Sequence, residues 1–427
     1  MKGDGWGAAA KGMALFLGSS LSILACSDST SPGDQFGGWT QLAAGRAHAC
    51  ALTGDGQAYC WGNSDDGQAG AAAGDLDLPT AIDTGLRFIQ IEAGGNNTCG
   101  VTADGGLHCW GDNGLGGLGD GGIADSPRPV AVEPALTWRS VSVGTYHVCA
   151  LNEAGTLYCW GGDRWDASLG YRAFGTCVAP PQSEPRWPCS GIPESIDAGG
   201  SYDWVTAGLS QTCAGTSAGA VCWGENELRQ LGREATATCE NNDPIHLTER
   251  ACAREPGPPL GPSFTSISPG TTHACGLAAG GAPYCWGATE LDVGQLGNGQ
   301  TDGSAEPSAV SNVASLASIV TSHESHIRTV SCGIDDSGTG FCWGANRWGQ
   351  LGGTSSDTCQ SGGDTPCAVT PVPIETEATL ESIALGAEFG CALTLDGEIL
   401  CWGVNDAGQL GDGSTLNRQT PEMVISP

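Results

Sequence analysis

Cysteines, histidines and Asp-Gly turns are the residues here whose types and spacing could do chemistry. Fourteen of the 21 cysteines form seven pairs: Cys50 with Cys60, Cys99 with Cys109, Cys149 with Cys159, Cys213 with Cys222, Cys275 with Cys285, Cys332 with Cys342, and Cys391 with Cys401. Six pairs enclose nine residues and one, Cys213 with Cys222, encloses eight. Structural zinc sites usually use closer Cys-x-x-Cys ligand pairs, so no metal is expected. Hairpin geometry favours cystines instead. With Gly54-Asp55-Gly56 as a three-residue loop and Gly56 at its left-handed position, Thr53 faces Gln57 and Cys50 faces Cys60. That is a non-hydrogen-bonded position, where Cα atoms lie about 4.5 Å apart and a disulfide can form. The two-residue loop Ser217-Ala218 puts Cys213 and Cys222 at the same parity. Each closed loop should contribute roughly 2–3 kcal/mol.

Three further pairs, Cys177 with Cys189, Cys239 with Cys252 and Cys359 with Cys367, lie in long Pro-rich segments (163–192, 226–258 and 346–370). Cross-linking lowers the cost of ordering such loops before a partner arrives. Their exposed Trp and Arg residues are the candidate binding anchors: Trp165, Arg186, Trp187, Arg229, Arg250 and Trp348.

Other signals read as structure. His48, His147 and His273 share one slot two residues before a cysteine, which suits a repeated buried hydrogen bond better than a metal cluster. His323 and His326 fall off that pattern. Gly215-Thr216-Ser217-Ala218-Gly219 matches a nucleophile elbow but sits at a hairpin tip, not a strand-to-helix turn. Gly114-Leu115-Gly116-Gly117-Leu118-Gly119 matches a dinucleotide fingerprint but precedes no helix. Asp55, Asp104 and Asp396 occupy Asp-Gly turns. No catalytic residue and no cofactor is expected.

The elements that hold these residues repeat. Every second cysteine is followed by Trp-Gly, at Trp61, Trp110, Trp160, Trp223, Trp286, Trp343 and Trp402, and first cysteines recur every 49 to 64 residues. Upstream lie an aromatic or leucine (Trp39, Phe88, Trp138, Tyr202, Phe264, Leu380), an aliphatic three residues later, and a glycine. The sixth repeat keeps Leu316 and Ile319 but lacks the glycine and carries five extra residues. Downstream come Gly-Gln-Leu-Gly turns and a Pro-led strand. Four strands per unit predicts an all-β, seven-bladed β-propeller of four-stranded antiparallel blades spanning 39–427. The reading further expects residues 421–426 to complete the first blade and so close the ring.

With 69 Gly and 23 Pro, turns are frequent, and 14 Trp require a packed interior. A formal net charge of −31 disfavours a nucleic-acid partner, because phosphate backbones are gripped by Lys and Arg. At the start, Lys2 and Lys11 precede an apolar run, Met13 to Ala25, too short to span a bilayer. Residues 1–25 are therefore read as an export signal and 26–38 as a flexible tether. Ile23-Leu24-Ala25-Cys26 resembles the bacterial lipoprotein cleavage box, which implies that Cys26 is acylated and the protein held at the outer membrane or cell surface. Periplasmic or secreted placement is the alternative.

The succession Gly, His-x-Cys-Ala-Leu, Asp-Gly, Tyr-Cys-Trp-Gly and Gly-Gln-Leu-Gly resembles the repeat of the regulator-of-chromosome-condensation family, over residues 39–427. The resemblance implies the propeller scaffold. Family members include a nuclear exchange factor for a small GTPase and a secreted bacterial β-lactamase inhibitor. The expected function is non-enzymatic recognition of a protein, with glycan as a second class, by a monomer displayed outside the cytoplasm and touching membrane only through its lipid. Exchange activity by family analogy, and a hydrolase or lyase acting on an extracellular polymer, are the alternatives.

Overall fold

A computed structural model describes residues 37–427 except 73, 164–166, 172–174, 177–187, 197–199, 241–248, 288–292, 324–328 and 360–364. The signal segment, Cys26 and all of the tether except Gly37 and Gly38 lie outside the described residues. What is described is seven antiparallel sheets, each made by one repeat. Blade 1 pairs Trp39–Ala44, His48–Thr53, Ala58–Gly62 and Leu76–Ala81 in that order. The innermost strands of blades 2 to 7 are Phe88–Gly94, Trp138–Val143, Tyr202–Ala207, Phe264–Pro269, Ser318–Thr321 and Leu380–Leu385. Each lies against the next, and Leu380–Leu385 lies against Trp39–Ala44, which closes a ring around a central channel.

Both faces of each blade are covered by a neighbour, so the middle strands are buried along most of their length and do not alternate between buried and exposed. His48–Thr53 is buried along almost its whole length. Between blades 1 and 2, Cys50, Leu52 and Ala58 pack with Phe88, Ile91 and Trp110 in one cluster. The seven Trp of the Trp-Gly motif are fully buried. Six donate an indole N–H to a carbonyl in the preceding blade's turn: Trp61 to Gln409 (2.9 Å), Trp160 to Gly117 (3.0 Å), Trp223 to Ser168 (3.1 Å), Trp286 to Gln230 (3.0 Å), Trp343 to Gln295 (3.0 Å) and Trp402 to Gln350 (2.9 Å). Trp110 is the exception, its indole nitrogen buried without a partner. Gly411 shows why that turn needs glycine: its φ is +63°, and a Cβ would lie 2.8 Å from the Trp61 indole nitrogen.

Hairpin register follows the sequence reading. Cys50 faces Cys60 and Cys213 faces Cys222, and both are disulfides with Cα atoms 4.1 Å apart. The other five repeat pairs are also bonded as expected from spacing: Cys99 to Cys109, Cys149 to Cys159, Cys275 to Cys285, Cys332 to Cys342 and Cys391 to Cys401. In each of these five the second cysteine, Cys109, Cys159, Cys285, Cys342 or Cys401, is fully buried beside the Trp that follows it. Gly215–Gly219 is the tip of the blade 4 hairpin, and Gly114–Gly119 is a loop turn followed by strand.

Ring closure differs from the expectation. Arg418–Met423 does not pair into blade 1; it lies on Ile399–Gly403 as the outermost strand of blade 7, with Leu400 opposite Met423. The Pro-led strand ends its own repeat, folding back on the Trp-Gly strand, so blade 1 already has Leu76–Ala81 and needs nothing from the tail. The seam is held instead by Trp39 N–H to Gly397 (2.8 Å), Ala387 N–H to Arg46 (3.1 Å), Gly413 N–H to Asp77 (3.0 Å) and the Trp61 indole.

The four-strand unit holds in every blade, and among the described residues three blades add a fifth strand. Gly175–Thr176, Ala237–Glu240 and Asp357–Cys359 extend the outer edges of blades 3, 4 and 6. Cys239–Cys252 and Cys359–Cys367 each tie the added strand to its neighbour. Cys189 is disulfide-bonded, and Cys177 lies outside the described residues.

Candidate functional site on the loop face

Antiparallel order sorts the connections onto two faces. The Asp-Gly hairpin tips lie on one. There Asp55 accepts a hydrogen bond from the Thr53 hydroxyl and Asp104 one from Thr102, as turn chemistry requires. The Gly-Gln-Leu-Gly turns, the cystine-tied insertions and the short loops that leave the innermost strands all lie on the other, here termed the loop face.

The channel wall leading to the loop face is polar, because neighbouring innermost strands are not joined by a hydrogen-bond ladder and side chains bridge them instead. Gln41 accepts from Ile91 N–H (2.8 Å); Gln90 accepts from Val141 N–H (3.0 Å) and donates to the Val141 carbonyl (3.0 Å). Ser142 accepts from Ala207 N–H (3.0 Å), Thr206 donates to the Ile267 carbonyl (2.9 Å), and Ser268 accepts from Thr321 N–H (3.0 Å). Glu92 occupies the slot that holds Ala43, Ser142, Thr206, Ser268, Val320 and Ala384 in the other blades. Burial pushes its carboxyl up to about 7, against the opposing pull of the Gln90 amide and the His323 ring.

His323 begins the five-residue insertion of blade 6, yet its carbonyl accepts from the Thr145 hydroxyl of blade 3 at 2.8 Å. Blades 3 and 6 stand across the ring, so this residue reaches over the channel mouth. His326 lies outside the described residues. The regular histidines are buried as expected. His48 meets Thr98 (2.9 Å), His147 meets Thr212 (2.8 Å) and His273 meets Ser331 (2.7 Å), each in the next blade. Those hydroxyls donate onward to the carbonyls of Gln68, Ser168 and Gln295. Burial drives His147 and His273 down to about 3, and both rings are neutral.

Beside the mouth is a 150 Å³ cavity between blades 1, 2 and 3, lined by Arg46, Asn96, Asp112, Leu115, Thr145 and Tyr146 among others. Burial, with repulsion from Asp125 and Asp66, raises the Asp112 carboxyl to about 6, although it accepts from Gly114 N–H at 2.7 Å. Among the described residues, no group of three or more His, Cys, Asp or Glu could hold a metal ion, and no helix is long and apolar enough to cross a membrane.

Of the candidate anchors, Trp165, Arg186 and Trp187 lie outside the described residues. Arg229, at φ +62°, pairs with Glu234 at 3.0 Å on the blade 4 turn. Arg250 is tied to the buried Glu225. Trp348 is half-buried under the Arg347 guanidinium, 5.2 Å above its ring. The structure therefore leaves Arg229 and Trp348 on the rim and commits Arg250 inward. The sequence reading missed Glu92 and the cavity residues. Aligning the innermost strands would have exposed Glu92, the one charged side chain in its slot.

The family described as regulator of chromosome condensation (RCC1) repeat matches residues 39–68, 88–116 and 381–409, and in a second form 104–151 and 396–427. The ultraviolet-B receptor UVR8 of Arabidopsis thaliana is 28% identical over 232 residues, 52% of this chain and 46% of the receptor. The mouse E3 ubiquitin-protein ligase HERC2 is 28% identical over 205 residues, 47% of this chain and 4% of the ligase. The chain thus spans less than half the length of these curated relatives. Among solved structures, Prp20p from Saccharomyces cerevisiae superposes with TM-score 0.68 at 17% identity, covering 88% of this chain and 87% of that one. Human WBSCR16 gives 0.65 at 18% identity, covering 87% and 94%. At such identities these two likenesses speak for the fold.

Proposed function

Because this chain is a seven-bladed propeller built of regulator-of-chromosome-condensation repeats, we propose that it is a non-enzymatic scaffold that binds a protein through the loop face, outside the cytoplasm. One observation carries the reading. The described insertions that break the repeat add strands in blades 3, 4 and 6, on the loop-face side of the Trp-Gly strands, and cystines tie those of blades 4 and 6 to the sheet. A rim ordered in advance loses less entropy on binding than a free loop. Prp20p is described with binding properties towards Gsp1p and histones, which is a statement about that protein; it supports the use of such propellers as protein-binding platforms. Nine described disulfides suit an oxidising compartment, which supports export, and acylation at Cys26 would hold the protein at a membrane surface.

The test replaces the three insertions with the short blade 1 connection and compares cross-linked capture from the surface of the producing cells. Recovery of the wild-type partner should fall about tenfold or more; equal recovery sinks the loop-face reading. Arg229→Ala and Trp348→Ala should each weaken capture by about 1–2 kcal/mol. Radiolabelled palmitate should enter the wild type and not Cys26→Ala.

A further inference from the structure

We propose that the cavity between the inner loops of blades 1, 2 and 3 binds a small zwitterion of amino-acid size, its carboxylate on Arg46 and its ammonium on Asp112. The site does not involve the cystine insertions and stands whether or not a protein docks on them.

Four chain segments build the walls. Arg46 comes from the loop after the first innermost strand, Asn96 and Asn97 from the second, and Thr145 and Tyr146 from the third. Asp112, Leu115 and Gly117 come from the blade 2 turn. Main-chain bonds fix these loops to one another. Arg46 N–H donates to Gly95 at 2.9 Å and Asp112 N–H to Asn96 at 2.9 Å, while the buried Asn97 amide donates to the Asp112 carbonyl at 2.5 Å. Thr145 is held from across the ring by His323. The cavity is thus formed before any ligand arrives, as small-molecule sites usually are.

Its charges are opposite and unspent. Arg46 and Asp112 line the same 150 Å³ space, and among the described residues neither has an ion-pair partner. The Asp112 carboxylate is instead crowded by Asp125 and Asp66, the latter already held by the Asn96 amide at 2.8 Å. An ammonium group beside Asp112 would relieve that repulsion. A simple anion would meet three carboxylates, and a simple cation would meet the guanidinium. A molecule carrying both charges satisfies both ends, and the Leu115 and Tyr146 side chains leave an apolar wall for a short side chain. The volume admits one such residue and no peptide.

The test is calorimetric titration of the full chain with L-serine and L-alanine at about pH 7.5, with propionate and butylamine as single-charge probes. The amino acids should bind, and each single-charge probe should bind about tenfold more weakly. Arg46→Ala, an exposed side chain whose loss leaves the walls standing, should weaken amino-acid binding about tenfold, and Asp112→Asn should do the same. Affinity should also fall from pH 7.5 to pH 5 as Asp112 gains a proton. No heat from either amino acid at about 20 mM, butylamine binding as tightly as serine, or affinity unchanged in Arg46→Ala would each overturn the proposal. Circular dichroism of both variants guards against unfolding, and the Arg46→Ala result stands alone if Asp112→Asn does not fold.

Discussion

Acidification should unlock this protein through its buried histidines. In the His147 relay the Thr212 hydroxyl spends its hydrogen on the Ser168 carbonyl (2.9 Å), so it must accept from the ring, and Nε2 carries the proton. The other ring nitrogen, Nδ1, is buried without an acceptor in both His147 and His273. A second proton there would put an unpaired N–H and a full charge into an apolar blade interface, which is why burial lowers both groups from 6.5 to about 3. The unfolded chain therefore takes up these protons first. The stabilisation is complete above about pH 6.5 and drains away as pH falls towards 3, at about 1.4 kcal/mol per pH unit for each ring. By pH 4.5 the two together should cost roughly 5 kcal/mol, comparable with the whole stability of many proteins. Guanidinium unfolding midpoints, measured without reductant from pH 7.5 to 4.5, would show the slope. A variant carrying His147→Gln and His273→Gln keeps an amide donor for the hydroxyl but cannot titrate. Its midpoint should fall much less over the same range. If wild type and variant lose stability in parallel, the relay does not govern the acid response.

Three further outcomes follow from the channel and the seam. Glu92→Gln removes a carboxyl raised to about 7, whose contribution is present below 4.5 and lost as pH rises through 7; above pH 7 the variant should be more stable by about 1–2 kcal/mol after allowance for channel water, as read by thermal melts at several pH values. Gln90→Ala removes both bonds to Val141 and should cost roughly 1–3 kcal/mol in denaturant unfolding, with faster amide exchange at Val141. Gly411→Ala forces a side chain onto the Trp61 indole at a positive φ and should lower the unfolding free energy by at least about 1–3 kcal/mol, with the loss appearing as a blade 1 to blade 7 separation in hydrogen exchange.

What could be read in advance was what recurs. The Cys and Trp-Gly slots appear seven times, and two loop lengths gave Cys213 and Cys50 the same hairpin parity, so cystines and blades could be argued from spacing alone. The histidine slot was legible for the same reason. Closure was misread because a strand between two repeats can belong to either, and nothing in Pro421-Glu422-Met423 says whether it pairs backwards to Ile399–Gly403 or onward to blade 1. The fifth strands were hidden because the pairs Cys239 with Cys252 and Cys359 with Cys367 look the same whether they brace a loop or a short ladder. The cavity has no local signature at all. Arg46, Asp112 and Thr145 meet only because the inner loops of blades 1 and 3 and the turn of blade 2 come together at one point.

The odd number of blades explains a feature of the seam that no single repeat explains. Blades 1, 3 and 5 supply the histidine, and blades 2, 4 and 6 supply the receiving hydroxyl at Thr98, Thr212 and Ser331. The relay therefore joins blades in couples. In the reverse slots, Val148 and Ala274 of blades 3 and 5 offer no hydroxyl, and Asn97 and Gln211 turn their amides to main-chain carbonyls. Seven blades make three couples and leave one blade over. A histidine at position 389 would face Ala49 of blade 1, where no side chain could accept its proton, and would leave a polar ring unsatisfied in a dry interface. The chain has Phe389 there. Its ring takes the place of the imidazole, and Gly386 stays bare beneath it as Gly45 does beneath His48. Phe389, Ala49 and Trp61 form one apolar cluster. With one blade left over, the joint of blade 7 with blade 1 lacks the relay, as the joints between couples do. A ring built from such couples closes with an odd blade when the last contact goes without the histidine relay and is held by the Trp61 indole and main-chain bonds of the seam instead.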